Sequence, residues 1–268
     1  MVTPDGFLPA RELAIPHVWH LRQLCKEHYQ FRYTLGEEFV KECLLASQHC
    51  LANSHATAKA YGLSSAPNTS VIYNPLSLPE HTLERTAPTS CNTLCLLSIG
   101  HRTEVKGHLD AIQATHALIE SGHNIRLTIV GGGDGTYRES CEKEVQQRGL
   151  SSSVSFIRSV ENPWELLGSS DLFLQCSQHE AFGRVTVEAM LARCPVLGRN
   201  SGGTPEIIEN GQTGFLFNDT SELPDKILSV LKREDLEEIT NRAFTVATTR
   251  FSPNKIAEEV LAIYNTLC

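Results

Sequence analysis

The sequence has no run of eighteen consecutive apolar residues, which excludes a membrane-spanning helix within it. It has no CxxC pair. Its nine cysteines (Cys25, Cys43, Cys50, Cys91, Cys95, Cys141, Cys176, Cys194 and Cys268) are odd in number and irregular in spacing, which argues against both a zinc ribbon and a disulfide framework. Reduced, cytosolic cysteines are the simplest reading, with Cys95 and Cys176 acting as small hydrophobes in apolar runs. No five like charges stand together, and 31 acidic against 23 basic residues leave a net charge of −8, which argues against nonspecific nucleic-acid binding as the main task. The opening stretch MVTPDGFLPARELAIPHVW lacks a basic start followed by an apolar core, so no secretory signal is expected. Internal repeats and low-complexity segments are also missing. What is present is 41% hydrophobic content over 268 residues, enough for the core of one large domain or two small ones.

Strand and helix signals alternate almost throughout. TLCLLSIG from Thr93 reads as a buried strand, followed by a helix from about Lys106 to Glu120. NIRLTIV at 124–130 reads as a second strand, ending in Gly131-Gly132-Gly133 and a polar helix to about Arg148. Apolar runs at 154–157, 171–175 and 195–197 follow, with helical patterns at 184–193 and 205–209 between and after them. Short, non-alternating apolar strands separated by helices predict an α/β fold with a parallel sheet covered on both faces. The last third is expected to be helical, broken at Ser252-Pro253, where serine can cap and proline can open the final helix. Before residue 75 the same style recurs in fewer elements: IPHVWHL, HCLANS and TSVIYN as strands, EEFVKECLLAS as a helix. The predicted division is a partial α/β domain over 1–74, a proline-rich linker over 75–92, a ligand-binding domain over 93–252 and a C-terminal helix over 253–268 packing back on the N-terminal part.

Ligands of open parallel sheets bind at the carboxyl ends of strands, where helix N-termini present free N–H groups. Four segments should converge there. In GHRTEVKG (100–107), Lys106 beside Gly107 could reach a phosphate, although a solvated first-turn lysine is the plainer reading of that residue by itself. In GGGDG (131–135), Gly131 and Gly133 allow a tight turn and close approach, yet Thr136 breaks the GxGxxG spacing and no ribose-binding acid follows, so a nicotinamide site is disfavoured. In SQHEAFGRVTVEAM (177–190), Glu180 falls at the mouth of the crevice. Glu188 falls a turn and a half into a helix that is apolar nearly all round. A carboxylate there needs donors: a ribose diol supplies two, and Arg184 four residues back is the rival partner. In GRNSGGTPE (198–206), Thr204 is a candidate cap ahead of Pro205, at a helix start that favours an anion.

Taken in order, KG at 106–107, IVGGG at 129–133, SQHEAFGRVTVEAM, CPVLGRNSGGTPEII at 194–208 and NGQTGFLF at 210–217 resemble the C-terminal domain of the family 4 (group 1) glycosyltransferases of GT-B fold. Two glutamates separated by seven intervening residues, with Phe-Gly among them, are the most specific part. The resemblance implies a GT-B type architecture, with a complete Rossmann-like donor domain and a truncated N-terminal domain. The implied activity is that of a metal-independent retaining hexosyltransferase of polysaccharide biosynthesis. It would use a UDP- or GDP-sugar as co-substrate, no other cofactor, and a glycan or lipid-linked acceptor. By the same analogy Glu188 holds the ribose hydroxyls and Glu180 contacts the donor sugar. Lys106 neutralises the diphosphate, helped by main-chain amides at Phe182, Gly183, Arg184 and Val185. The family commonly places arginine where this chain has His101, so Arg102 either substitutes or leaves the phosphates to Lys106. His20, in PHVWHLRQ, matches a histidine facing the reacting centre, and a satisfied histidine at a strand end is the alternative. The missing part of the N-terminal domain leaves three expectations open: a truncated product, a partner chain that completes it, and a noncatalytic nucleotide-sugar-binding remnant. Separately, peripheral attachment to the inner face of a membrane is open for an otherwise cytoplasmic protein.

Overall fold

The computed structural model describes residues 5–25, 33, 35–78, 92–133 and 135–267. Most of the expected linker, Cys91, Cys268 and Asp134 therefore lie outside the described residues. The chain first builds a small parallel sheet from β1 (Val18–Leu21), β2 (His49–Ala52) and β3 (Thr69–Val71), in the order β1-β2-β3. Among the described residues it is accompanied by α1 (Phe7–Glu12), α2 (Glu37–Ala46) and α3 (His55–Ala60). The expected strands and α2 are present. The short α1 and α3 were not foreseen, because six residues carry too little periodicity. Helix α3 is instead set by its cap, with Thr57 N donating to Ser54 Oγ at 2.9 Å.

A six-stranded, all-parallel sheet follows, from β4 (Leu94–Ile99), β5 (Ile125–Val130), β6 (Val154–Ile157), β7 (Leu172–Gln175), β8 (Val196–Arg199) and β9 (Phe215–Phe217). Its order is β6-β5-β4-β7-β8-β9. Strand neighbours in β4 point to opposite faces, as a period of two requires. Leu96 joins Ile112, Leu118, Leu127 and Leu174 under α4 (His108–Glu120), α5 (Thr136–Gln147) and, further along the sequence, α9 (Leu223–Leu231). Leu97 joins Val130, Phe173, Met190 and Phe251 on the other face. That side is covered by α6 (Trp164–Gly168), α7 (Arg184–Leu191), α8 (Thr204–Ile207) and α10 (Leu236–Arg250). The chain winds outward in one direction from β4 to β6 and in the other from β7 to β9. The carboxyl ends of β4 and β7 therefore flank a topological switch point, which fixes the crevice.

Two details depart from the sequence expectations. The helix expected from Lys106 begins at His108, because Gly107 is left-handed (φ +66°) and closes a separate 3-10 turn, Glu104–Lys106. The last third also contains β9, a three-residue strand on the sheet edge, too short to stand out from its helical surroundings. The break at 252–253 is as expected: Lys255 N donates to Ser252 Oγ at 3.3 Å where α11 (Pro253–Leu267) begins. Helix α11 runs back to the small sheet, where Ile256 and Val260 lie beside Leu51 and Ile72. The seven cysteines among the described residues are free thiols. Among those residues no helix is long and apolar enough to cross a membrane.

Candidate functional site

At the switch point lies a cleft of about 270 Å³. Gly100, His101 and Lys106 line it beyond β4, and Gln175 lines it at the end of β7. The floor is the segment from Glu180 to Val185, which leads into α7. The facing wall comes from the small sheet as Arg22, Asn53 and Asn74, each just past the end of a strand.

Local sequence explains why the floor has its shape. A side chain at Gly107 would bring its Cβ within 2.4 Å of the Cys176 carbonyl, so glycine lets the two loops touch. Gly183, with φ +102°, turns the chain into α7. No side chain caps that helix, so its first N–H groups are presented toward the cleft, where an anion is favoured. The Lys106 stem lies over Gly100, and its ammonium donates to Glu180 Oε2 at 2.7 Å. Gln175 Nε2 donates to the same oxygen at 3.4 Å, and Ser177 Oγ donates to Gln175 Oε1 at 3.1 Å. A lysine, an acid it neutralises and an uncapped helix start thus meet around one space.

Glu188 is one turn further along α7, beyond the residues that line the cleft. It is largely buried, and burial raises its carboxyl above the usual range, with Arg184 opposing the shift. The Arg184 guanidinium is 3.7 Å from Glu188 Oε1 but two-thirds exposed, so the pairing weighed from sequence exists and is weak.

Arg102, Gly131, Gly133, His20 and Thr204, all candidates from the sequence, do not line the cleft. Arg102 is 6% exposed: its Nε donates to Gly131 O at 3.1 Å, its Nη1 to Glu142 Oε1 at 3.1 Å, and its guanidinium stacks on Phe156. His101 takes the cleft position instead. Gly131 and Gly133 are needed for packing. A Cβ on Gly131 would sit 1.8 Å from Gly100 O, and one on Gly133 would sit 2.7 Å from Arg102 Cβ. Neither lines the cleft. His20 points to α11, 2.9 Å from the Tyr264 hydroxyl, in a small adjoining recess that also includes Arg22 and Asn53. Burial and the nearby Arg22 lower its pKa. Thr204 is not a cap: it is the first residue of the four-residue α8, its hydroxyl is buried without a partner, and Gly203 precedes it. The residues missed from sequence, Arg22, Asn53, Asn74 and Gln175, were findable. All four lie at or just past strand carboxyl ends, where the sheet rule places ligands.

Residues 88–245, more than half of the chain, match the family described as glycosyl transferases group 1. The N-acetyl-alpha-D-glucosaminyl L-malate synthase of Bacillus anthracis is 34% identical over 174 residues, which are 63% of this chain and 44% of that protein. The alpha-1,3/1,6-mannosyltransferase ALG2 of Homo sapiens is 31% identical over 180 residues, 62% of this chain and 43% of that protein. The chain thus spans less than half the length of these relatives. Anabaena Alr3699/HepE, crystallised with UDP and glucose, shares the fold with a TM-score of 0.83 at 22% identity, over 97% of this chain and 74% of that chain.

Proposed function

The chain belongs to the group 1 glycosyl transferases, and from that premise we propose that its cleft takes a nucleoside-diphosphate sugar and transfers the sugar, with retention, to a glycan or lipid-linked acceptor. The observation that carries this reading is the Lys106–Glu180 pair at the uncapped start of α7.

The diphosphate oxygens would meet the Lys106 ammonium, the Arg184 side chain and the first N–H groups of α7. These donors are in place before reaction, and a leaving diphosphate gains charge as the sugar becomes cationic, so they stabilise the transition state more than the ground state. Glu180, with one oxygen held by Lys106 and Gln175, would turn the other toward the sugar hydroxyls. Glu188 would accept from the ribose hydroxyls, which offers a buried carboxylate closer donors than the exposed Arg184 guanidinium at 3.7 Å. The small-sheet wall of Arg22, Asn53 and Asn74 would face the acceptor. His20 adjoins that wall but faces Tyr264, so it would have to turn toward the cleft to reach the sugar. Relatives named for UDP-linked and mannosyl chemistry leave both uridine and guanosine donors in the proposal.

Calorimetric titration with UDP-glucose and GDP-mannose, paired with an assay for release of the nucleoside diphosphate, tests this. Binding of one donor with turnover is the expected result. Binding without turnover would establish the noncatalytic role instead, and absence of binding by any nucleotide sugar would defeat both.

A further inference from the structure

Beside the cleft, and outside it, three segments are joined through one carboxylate. Glu206, on α8, accepts from His55 N at 2.8 Å on Oε2 and from Ala56 N at 2.7 Å on Oε1, the first two N–H groups of α3. Tyr73 OH donates to Oε2 at 3.3 Å and accepts from Arg250 Nη2 at 3.0 Å. Arg250 Nη1 in turn donates to the Glu206 carbonyl at 2.8 Å. Immediately alongside, Ser54 Oγ donates to the Ala181 carbonyl. Thr57 Oγ1 donates to Asn53 Oδ1 at 2.7 Å, and Asn53 Nδ2 donates to Arg22 O at 3.2 Å.

The turn that leads to Glu206 is itself pressed against the cleft floor. Gly203 N donates to Glu180 O at 2.7 Å, and side chains at Gly202 and Gly203 would collide with the Glu180 and Ala181 carbonyls. Phe182 is packed between Tyr73 and Phe251, with ring centroids 5.7 and 5.5 Å away. From this geometry we infer that Glu206 is a positioning residue for sugar transfer: it sets the small-sheet wall (Arg22, Asn53, Asn74) against the donor floor (Glu180 to Val185). This rests on the donor reading above. A carboxylate suits the task because it presents two acceptors to two backbone N–H groups at the positive end of a helix. Glutamine keeps the length but turns one acceptor into a donor facing an N–H.

The test uses the whole chain with UDP, UDP-glucose, GDP and GDP-mannose as probes. In the wild type, a bound nucleotide should slow amide exchange both at 180–187 and across the junction at 53–57. In Glu206→Gln the donor Kd should stay within about threefold and the slowing at 180–187 should persist, while the slowing at 53–57 is lost. The rate of nucleoside-diphosphate release should fall about tenfold or more at nearly unchanged donor KM. Tyr73→Phe, which removes the hydroxyl's two hydrogen bonds but no charge, should move in the same direction by less. Persistence of the slowing at 53–57 in Glu206→Gln would overturn the inference. So would loss of donor affinity in step with Tm, which marks a residue that merely holds the fold. A wild type that binds none of the four probes would instead remove the donor reading on which the inference stands.

Discussion

Lys106 Nζ lies 2.7 Å from Glu180 Oε2, with the two side chains only 19% and 12% exposed, so the cation best placed for a diphosphate is already committed to an acid. A buried pair is costly to break from one side, because the survivor keeps its charge without its partner. Lys106→Met should therefore lower Tm, leaving Glu180 with only the long Gln175 contact. Donor affinity should fall roughly 10- to 100-fold, since a charge-assisted hydrogen bond contributes about 1.5–3 kcal/mol. Adding Glu180→Gln should restore Tm and leave affinity low. Thermal unfolding and calorimetry read both, and a Lys106→Met protein with wild-type donor affinity would end the phosphate assignment.

Glu188 gives a prediction of opposite sign for stability. Burial raises its carboxyl, so the folded protein holds that proton more tightly than the unfolded chain does. Its contribution is most favourable below the ordinary value of 4.5 and is lost as pH rises through the raised folded value. Glu188→Gln should thus leave the free protein as stable or more stable at pH 8, with the difference vanishing toward pH 4. The same change should weaken donor binding by ~1–3 kcal/mol through loss of a charged acceptor for the ribose. A variant that loses Tm but binds donor normally would make the Arg184 pair the whole role of this residue.

Much of this was legible before the structure, for reasons that also explain the failures. Strands such as LCLLSI and LFLQ are buried on both faces, so their patterns have one solution, and the parallel sheet follows. Glu180 and Phe182 stand out because an acid and an aromatic lead into the glycine of a strand-to-helix turn. Arg102 misled because a cationic residue beside a glycine at a strand end looks the same whether it faces solvent, ligand or core. Its partners, Glu142 and Phe156, are 40 and 54 residues away in sequence. Glu206 was equally hidden, since the N–H groups it accepts belong to a helix about 150 residues earlier.

His108 should make the six-stranded-sheet part of the chain acid-sensitive. It is 1% exposed, with Nδ1 3.1 Å from Ser98 Oγ and Nε2 3.1 Å from Gly100 O, and burial lowers its pKa to about 4. The folded state therefore favours neutral imidazole. The stability it contributes is complete above the unfolded value of 6.5 and is lost as pH falls toward 4. The loss amounts to about 3 kcal/mol over that window. Urea unfolding at pH 7.5 and 4.5 should show a shallower pH dependence for His108→Gln than for the wild type. Equal slopes would mean that this ring does not carry the effect. Because Gly100 lines the cleft, donor affinity should decline over the same range.

The two neighbours at the end of β4 should separate function from fold. Arg102 donates to Gly131 O and to Glu142 while stacking on Phe156, a planar arrangement that an ammonium cannot copy. Arg102→Lys should therefore cost about 2 kcal/mol of stability. Most of that should come from the carbonyl bond and the stacking, because Glu142 is 39% exposed and screened. Donor affinity should stay within about twofold once the protein is folded, since none of these contacts reaches the cleft. His101→Ala should do the reverse, leaving Tm nearly unchanged and altering affinity, because its ring lines the cleft. Paired thermal-shift and calorimetric measurements decide the matter. If Arg102→Lys lost donor binding without losing stability, the guanidinium would have to leave Glu142 and Phe156 and turn into the cleft when the donor arrives.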